Sequence, residues 1–220
     1  MIDSFDAILF DNDGVLVDTE PLFLQATQEL LATIDIRLTL EDYHDISMRQ
    51  GRSVFDLAAA QGVSDREILD LRARRGERYS ELIEEGIAVL DGVVAALERL
   101  HGTVPMAIVT SSRRDHFDRI HRQTDLMRFF DFVLADGDYT DHKPHPSPYL
   151  AAAQRLDVDP RRCLAIEDTE RGLISATSAG MSCIVIPNAL SDAGDFEAAH
   201  SILVSMNELV PLLGLPDGRD

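Results

Sequence analysis

Two aspartates one residue apart, Asp11 and Asp13, directly follow the apolar run Ala7-Ile8-Leu9-Phe10. That run reads as a buried β-strand. Side chains alternate along a strand with period two, so both carboxylates can project to one side of the sheet. Gly14 then lets the chain turn sharply beside them. Ligands of open α/β sheets bind at the carboxyl ends of the strands. A strand end of this kind is a platform for one divalent cation and one carboxylate nucleophile. Three more polar groups stand out further along: Thr110-Ser111-Ser112, Lys143 within His142-Lys143-Pro144-His145-Pro146, and Glu167-Asp168-Thr169. Pro144 and Pro146 stiffen the lysine segment, which suits a cation that must reach a fixed site. Ser112 can cap a helix with Asp115 three residues on, and a helix N-terminus is itself an anion site.

The elements that must position these groups fall into two kinds. Between Val17 and Gly86 the pattern is helical only, with helices expected near 21–33, 53–61 and 65–84. From Asp91, which can cap a helix over 91–100, strands and helices alternate. Strands are expected at 106–109, 132–135, 163–166, 183–186 and near 202–204. Helices are expected at 113–122, 148–156, 171–179 and 208–213. Such alternation predicts an α/β protein with a doubly wound parallel sheet covered by helices on both faces. The all-helical block reads as an insertion after the first strand. The expected domains are therefore a core of residues 1–16 and 87–220 and a helical domain of residues 17–86.

The chain of 220 residues is long enough for one good core with a small insertion. Its formal net charge is −19, from 20 Lys and Arg against 39 Asp and Glu, a surface that disfavours nucleic acid and anionic membranes. The same charge repels phosphate esters at long range, so a site for them needs local cations. No apolar run is long enough to span a bilayer and the opening residues carry no secretory pattern, so the expected location is the cytoplasm. Cys163 and Cys183 flank apolar segments and are expected as buried free thiols. A monomer or weak dimer is expected.

The stretch Asp11-Asn12-Asp13-Gly14-Val15-Leu16-Val17-Asp18-Thr19-Glu20 resembles the first motif of the haloacid dehalogenase superfamily, in its phosphatase and phosphomutase branch. Asn12 departs from the pattern, where an apolar residue is more common. By alternation it points away from the catalytic side, so the departure bears on packing more than on chemistry. The resemblance implies a Rossmann-like core whose helical insertion is a cap. It implies that Asp11 attacks phosphorus to form an aspartyl-phosphate, and that Asp13 protonates the leaving alcohol and then deprotonates water. Thr110 takes the role of a hydrogen-bond donor to the transferring phosphoryl group, with Ser111 and Ser112 beside it. Lys143 matches the third motif and offsets the charge of Asp11. Mg²⁺ is the implied cofactor, held by Asp11, the backbone carbonyl of Asp13, and Asp168, with Glu167 ligating directly or through water. From the cap, Arg52 in Gly51-Arg52-Ser53 and Arg75 fall where relatives carry residues facing the site.

The activity implied is Mg²⁺-dependent hydrolysis of a small phosphorylated metabolite, a sugar phosphate or a phosphoglycolate-like ester. The alternative is a phosphomutase resembling β-phosphoglucomutase. That relative has a histidine where this chain has Phe23, which cannot handle protons. Arg113 and Arg114 stand where a mutase grips a second phosphate. A third reading is a catalytically silent binding protein on the same fold, against which the full set of acids, Thr110 and Lys143 argues. A dehalogenase needs neither Asp13 as an acid nor the metal.

Overall fold

The computed structural model describes residues 4–49 and 52–215. Gly51 and the extreme ends of the expected core domain, residues 1–3 and 216–220, lie outside the described residues. Six parallel strands form one sheet: β1 (Ala7–Phe10), β2 (Met106–Arg113), β3 (Phe132–Asp136), β4 (Cys163–Glu167), β5 (Ser182–Val185) and β6 (Ser201–Ile202). Their spatial order is β3-β2-β1-β4-β5-β6. The order reverses at β1, so a crevice opens at the carboxyl ends of β1, β2 and β4. Phe10 pairs with Ile108 on one side and Ile166 on the other, which places Asp11, Thr110 and Glu167 along one edge.

Strict alternation divides the sheet into two faces. Ile8, Phe10, Met106, Ile108, Leu164, Ile166 and Ile184 enter one core with α5 (Val93–Leu100) and α6 (Arg114–His121). The other face mixes Leu9, Val109, Leu134 and Val185 with small side chains, Ala7, Ala107, Cys163, Ala165 and Cys183, against α7 (Ser147–Leu156) and α8 (Glu170–Ser178). Small residues there let those two helices approach closely, and Ala152, Ala153 and Ala176 on them are fully covered. Both cysteines are buried and free. A short helix, α9 (Leu209–Leu212), closes the chain.

Between β1 and α5 the described chain is helical, as the pattern predicts. Helix α1 (Glu20–Ala32) is followed by the short α2 (Leu40–Tyr43), a π-helical turn at His44–Arg49, α3 (Asp56–Ala60) and the long α4 (Asp65–Glu85). Helix α4 starts at a capping box in which Ser64 and Glu67 satisfy each other's backbone donors. Leu31, Tyr43, Val54, Phe55, Ile68 and Leu71 give these helices a small core of their own. Farther along α4, Tyr79, Leu82 and Ile83 join the main core instead.

Three local expectations are corrected. Asp91 does not cap α5, because Gly92 occupies the cap position in a left-handed conformation and the Asp91 carboxylate accepts from Asn207. Strand β2 runs past Val109 to Arg113, with a register shift that lets Arg113 pair with Asp136. Ser112 therefore lies in the strand and makes no helix cap, and Asp115 accepts from Arg113 instead.

Asn12 faces away from the side of the sheet that carries Asp11 and Asp13, as alternation requires, and is fully buried. Its side-chain oxygen lies 2.7 Å from Nε2 of His121 on α6, whose Nδ1 lies 2.8 Å from the Thr124 hydroxyl. Burial pushes His121 down to about 4 from an ordinary 6.5, so the ring is neutral near pH 7 and binds its proton more readily in the unfolded chain. Its contribution to stability is thus complete above pH 6.5 and is lost as pH falls toward 4. A His121→Gln variant should show a flatter dependence of stability on pH than the wild type over that window, measured by denaturant unfolding at stepped pH. Parallel curves would place His121 in a solvated state.

Candidate active site

The carboxyl edge of the sheet brings Asp11, Asp13, Thr110, Ser111, Ser112, Lys143, Glu167 and Asp168 to one cleft of about 420 Å³. Lys143 is the hub. Only 5% exposed, its ammonium donates to Asp11 Oδ1 at 2.8 Å, to Glu167 Oε1 at 2.6 Å and to the Val109 carbonyl at 2.8 Å. All three of its protons are used. The loop carrying it is pinned to α8, where Arg171 donates to the Lys143 carbonyl and Ser175 to that of His145. Burial works against the Lys143 charge, but Asp11 and Glu167 more than offset it and hold its pKa above the ordinary lysine value.

Both oxygens of Glu167 accept hydrogen bonds from neighbouring groups. Its Oε1 also accepts from the Tyr149 hydroxyl at 2.6 Å, and its Oε2 from the Asp168 backbone amide at 3.3 Å. Helix α8 can close on it only because position 172 is glycine: a Cβ there would stand 1.9 Å from the Glu167 carboxyl. Asp168 is different. Asn188, just past β5, donates to its Oδ2 at 2.8 Å, while its Oδ1 is buried without a partner. Gly14, at φ +81°, lets the loop after β1 pass this carboxylate, since a Cβ would lie 2.3 Å from it.

Asp11, Glu167 and Asp168 offer oxygens within 4.8 Å of one another. These three carboxylates face one ammonium, so two formal negative charges are uncompensated, the charge of one divalent cation. Burial pushes the Asp11 carboxyl up to about 8 against the pull of Lys143, with Glu167 and Asp13 adding to the push. Burial, then Asp11 and Glu167, hold Asp168 well above the usual carboxylate range. Hard oxygen donors, an orphaned buried acceptor and surplus negative charge fit a hard divalent ion.

Asp13 sits in a cage of hydroxyls. Thr19 donates to its Oδ1 at 2.5 Å, and Ser112 and Thr110 donate to its Oδ2 at 2.7 and 3.1 Å. Thr110 thus touches Asp13 in this structure. Thr19, which the sequence reading assigned no role, also meets the Tyr79 hydroxyl of α4.

The four arginines singled out by sequence separate. Arg75 lines the cleft, its guanidinium 4.3 Å from the centre of the Phe23 ring and 5.6 Å from that of Phe55. Arg113 lines the cleft rim while bound to Asp115. Arg114 does not reach the cleft, because Asp138 and the Val133 carbonyl hold it on the outer surface. Arg52 is also elsewhere: it pairs with Asp56 one helical turn on, at 2.8 Å, and its side chain is 58% exposed. Glu20, Tyr43, Ser47, Tyr79, His116 and Arg171 line the cleft without having been picked out. Glu20 and Thr19 were within the first motif. Asn188 had a weaker signal, a polar residue two positions past the expected strand 183–186.

Residues 8–186 match the model of the haloacid dehalogenase-like hydrolases. The chain belongs to that family. Protein CbbY of Rhodobacter capsulatus is 32% identical over 204 residues, 88% of this chain and 90% of that protein. The phosphorylated carbohydrates phosphatase of Thermotoga maritima is 30% identical over 94% of this chain and 98% of its own length. A crystal structure of CbbY from Rhodobacter sphaeroides in complex with phosphate has a TM-score of 0.79 at 28% identity, covering 93% of this chain and 96% of that one. These similarities place the chain in the family's phosphatase and phosphomutase branch.

Removing Lys143 would leave its carboxylates buried together without a cation. Lys143→Met should cost about 3 to 5 kcal/mol of stability, as for breaking a buried ion pair, measured by urea unfolding in the absence of divalent ions. A loss within about 1 kcal/mol, the range of a surface pair, would show that the ammonium is solvated.

Proposed function

We propose that this phosphoric monoester hydrolase removes phosphate from a small phosphorylated sugar or polyol through an aspartyl-phosphate on Asp11. The observation that carries the reading is the grip of Lys143 on one oxygen of Asp11. Among the described residues only Oδ1 accepts a side-chain hydrogen bond, which leaves Oδ2 for attack on phosphorus. The new Asp11 O–P bond forms as the ester P–O bond breaks, and Asp13 gives its proton to the departing alcohol. Water then attacks the acyl phosphate while Asp13 takes a proton back. For either step the reacting oxygen must replace one of the hydroxyls around Asp13, and Thr110, Ser111 and Ser112 can turn to the phosphoryl oxygens. A Mg²⁺ ion held by Asp11, Asp168 and the Asp13 carbonyl, with Glu167 directly or through water, would screen the nucleophile from an anionic ester.

Residues 17–86 act as a cap over the core of residues 1–16 and 87–220. Its support is that Glu20, Phe23, Tyr43, Arg75 and Tyr79 line the cleft opposite the strand ends. Hydrolysis is favoured over mutase chemistry by two features. Phe23 serves as the platform under Arg75 and carries no proton. Arg113 and Arg114 are each bound to an aspartate, so neither is a free cation for a second phosphate. Fructose-1-phosphate phosphatase YqaB of Escherichia coli, 28% identical over 84% of this chain, agrees with a sugar phosphate as substrate.

Asp11→Asn should abolish phosphate release and phosphoenzyme formation while the fold persists. Asp13→Asn should slow phosphoenzyme formation from alkyl phosphates by on the order of 10²-fold, the usual contribution of a general acid, and from aryl phosphates much less. Rapid-quench single-turnover measurements check both. Equal slowing for the two leaving groups would remove Asp13 from the role of acid.

A further inference from the structure

The two aspartates of the first motif are supported in different ways. Asp11 has the fixed ammonium of Lys143. Asp13 has no ion-pair partner among the described residues, only the hydroxyls of Thr19, Thr110 and Ser112. One of these must give way whenever a leaving alcohol or a water meets the acid, so they cannot be what holds Asp13 in place during turnover. The backbone before it can. The Asn12 carbonyl accepts from the amides of Leu16 at 2.8 Å, Val17 at 3.2 Å and Val15 at 3.3 Å, which closes the turn around Asp13. The Asn12 side chain is anchored in turn on α6, where its Oδ1 lies 2.7 Å from His121 Nε2. That oxygen can only accept, so Nε2 carries the ring proton and Nδ1 accepts from the Thr124 hydroxyl. The Asn12 Nδ2 is buried without a partner. An apolar side chain would fill this core with no orphaned donor, so the amide costs stability, and departures of that kind are expected at functional sites.

We propose that His121 is a positioning residue for proton transfer: it fixes Asn12, and through the turn closed on the Asn12 carbonyl it holds Asp13 against the leaving oxygen. This rests on the reading of Asp13 as the general acid. Neither His121 nor Asn12 lines the cleft, so their effect on turnover travels through the backbone of the turn and not through contact with substrate. The nucleophile is shielded from the same loss, because Lys143 grips Asp11 independently of α6. Loss of the His121 bond therefore weakens protonation of the leaving group more than attack on phosphorus. A poor leaving group, which needs the proton, reports it; a good one, which does not, is spared.

The test measures single-turnover phosphoenzyme formation from an aryl ester, p-nitrophenyl phosphate, and from an alkyl ester, glycerol 3-phosphate or fructose 1-phosphate, whichever the wild type turns over faster. In His121→Leu the alkyl reaction should slow by on the order of tenfold, part of the general acid's contribution, with the aryl reaction and KM little changed. His121→Gln, whose amide can donate to the same Asn12 oxygen, should restore the alkyl rate. In an Asp13→Asn background His121→Leu should slow the alkyl reaction no further, because the acid it positions is gone. Thr124→Val, which only frees the ring to turn, should show the same bias at smaller size, and it carries the test if His121→Leu does not fold. Equal slowing of both esters, additive slowing in the Asp13→Asn background, or no bias in a folded variant overturns the proposal. If Asp13→Asn itself shows no leaving-group bias, the reading of Asp13 as acid falls, and this one with it. A wild type that forms no phosphoenzyme from the alkyl esters overturns the sugar or polyol phosphatase reading and the proposal together.

Discussion

One lysine ammonium, sealed between two carboxylates at the end of a parallel sheet, sets the terms for the rest of this molecule. Lys143 cannot be buried without Asp11 and Glu167, and they cannot be buried together without it. Yet the bargain is unequal, because Asp168 adds a third acid to the same space and no second cation answers it among the described residues. The surplus appears as carboxyls held above their ordinary range by burial and by one another. An arrangement that resists its own ionisation is poised to accept a divalent ion and, beside it, a dianionic ester.

The fold serves that cluster at every level. Alternation along β1, β2 and β4 sends Ile8, Phe10, Ile108, Leu164 and Ile166 to one core, and Leu9 and Val109 with Ala7, Ala107, Cys163 and Ala165 to the other. The latter face admits α7 and α8, which carry Tyr149 onto Glu167 and Arg171 onto the lysine loop. Two glycines, Gly14 and Gly172, remove the Cβ atoms that would otherwise collide with Asp168 and Glu167. Helix α6 supports the loop after β1 from behind through His121 and Asn12. Its Arg119 pairs with Glu84 at the end of α4, and Gln123, just past the helix, donates to the Ile83 carbonyl.

Much of this was legible in the sequence because the chemistry sits at strand ends. A short apolar run closed by acids, hydroxyls or a proline-flanked lysine marks both the strand and the group it presents, and Asp11, Asp13, Thr110, Lys143, Glu167 and Asp168 meet as that pattern implies. What failed were side chains whose partners lie off the strand. Arg52 and Arg114 were read with Arg75 and Arg113, but Asp56 and Asp138 claim them at the surface. Nothing local separates a helix arginine stacked on a distant phenylalanine from one paired a turn away. The walls of the cleft were hidden for the same reason, since Tyr43 and Glu20 meet although they are 23 positions apart in sequence. Ser112 was readable as a helix cap and proved to be a donor to Asp13, a choice set by how far β2 extends.

The central claim is that the acids at the sheet edge, two of them raised by burial and by their neighbours, form a site for one divalent cation. Isothermal titration of the protein with Mg²⁺ at pH 7, in two buffers of different ionisation enthalpy, addresses it directly. Binding should release protons, because a cation among these acids lowers the carboxyl pKa values that burial raises, and the observed heat should therefore differ between the buffers. Binding with the same heat in both, or no binding at millimolar Mg²⁺, would contradict the account.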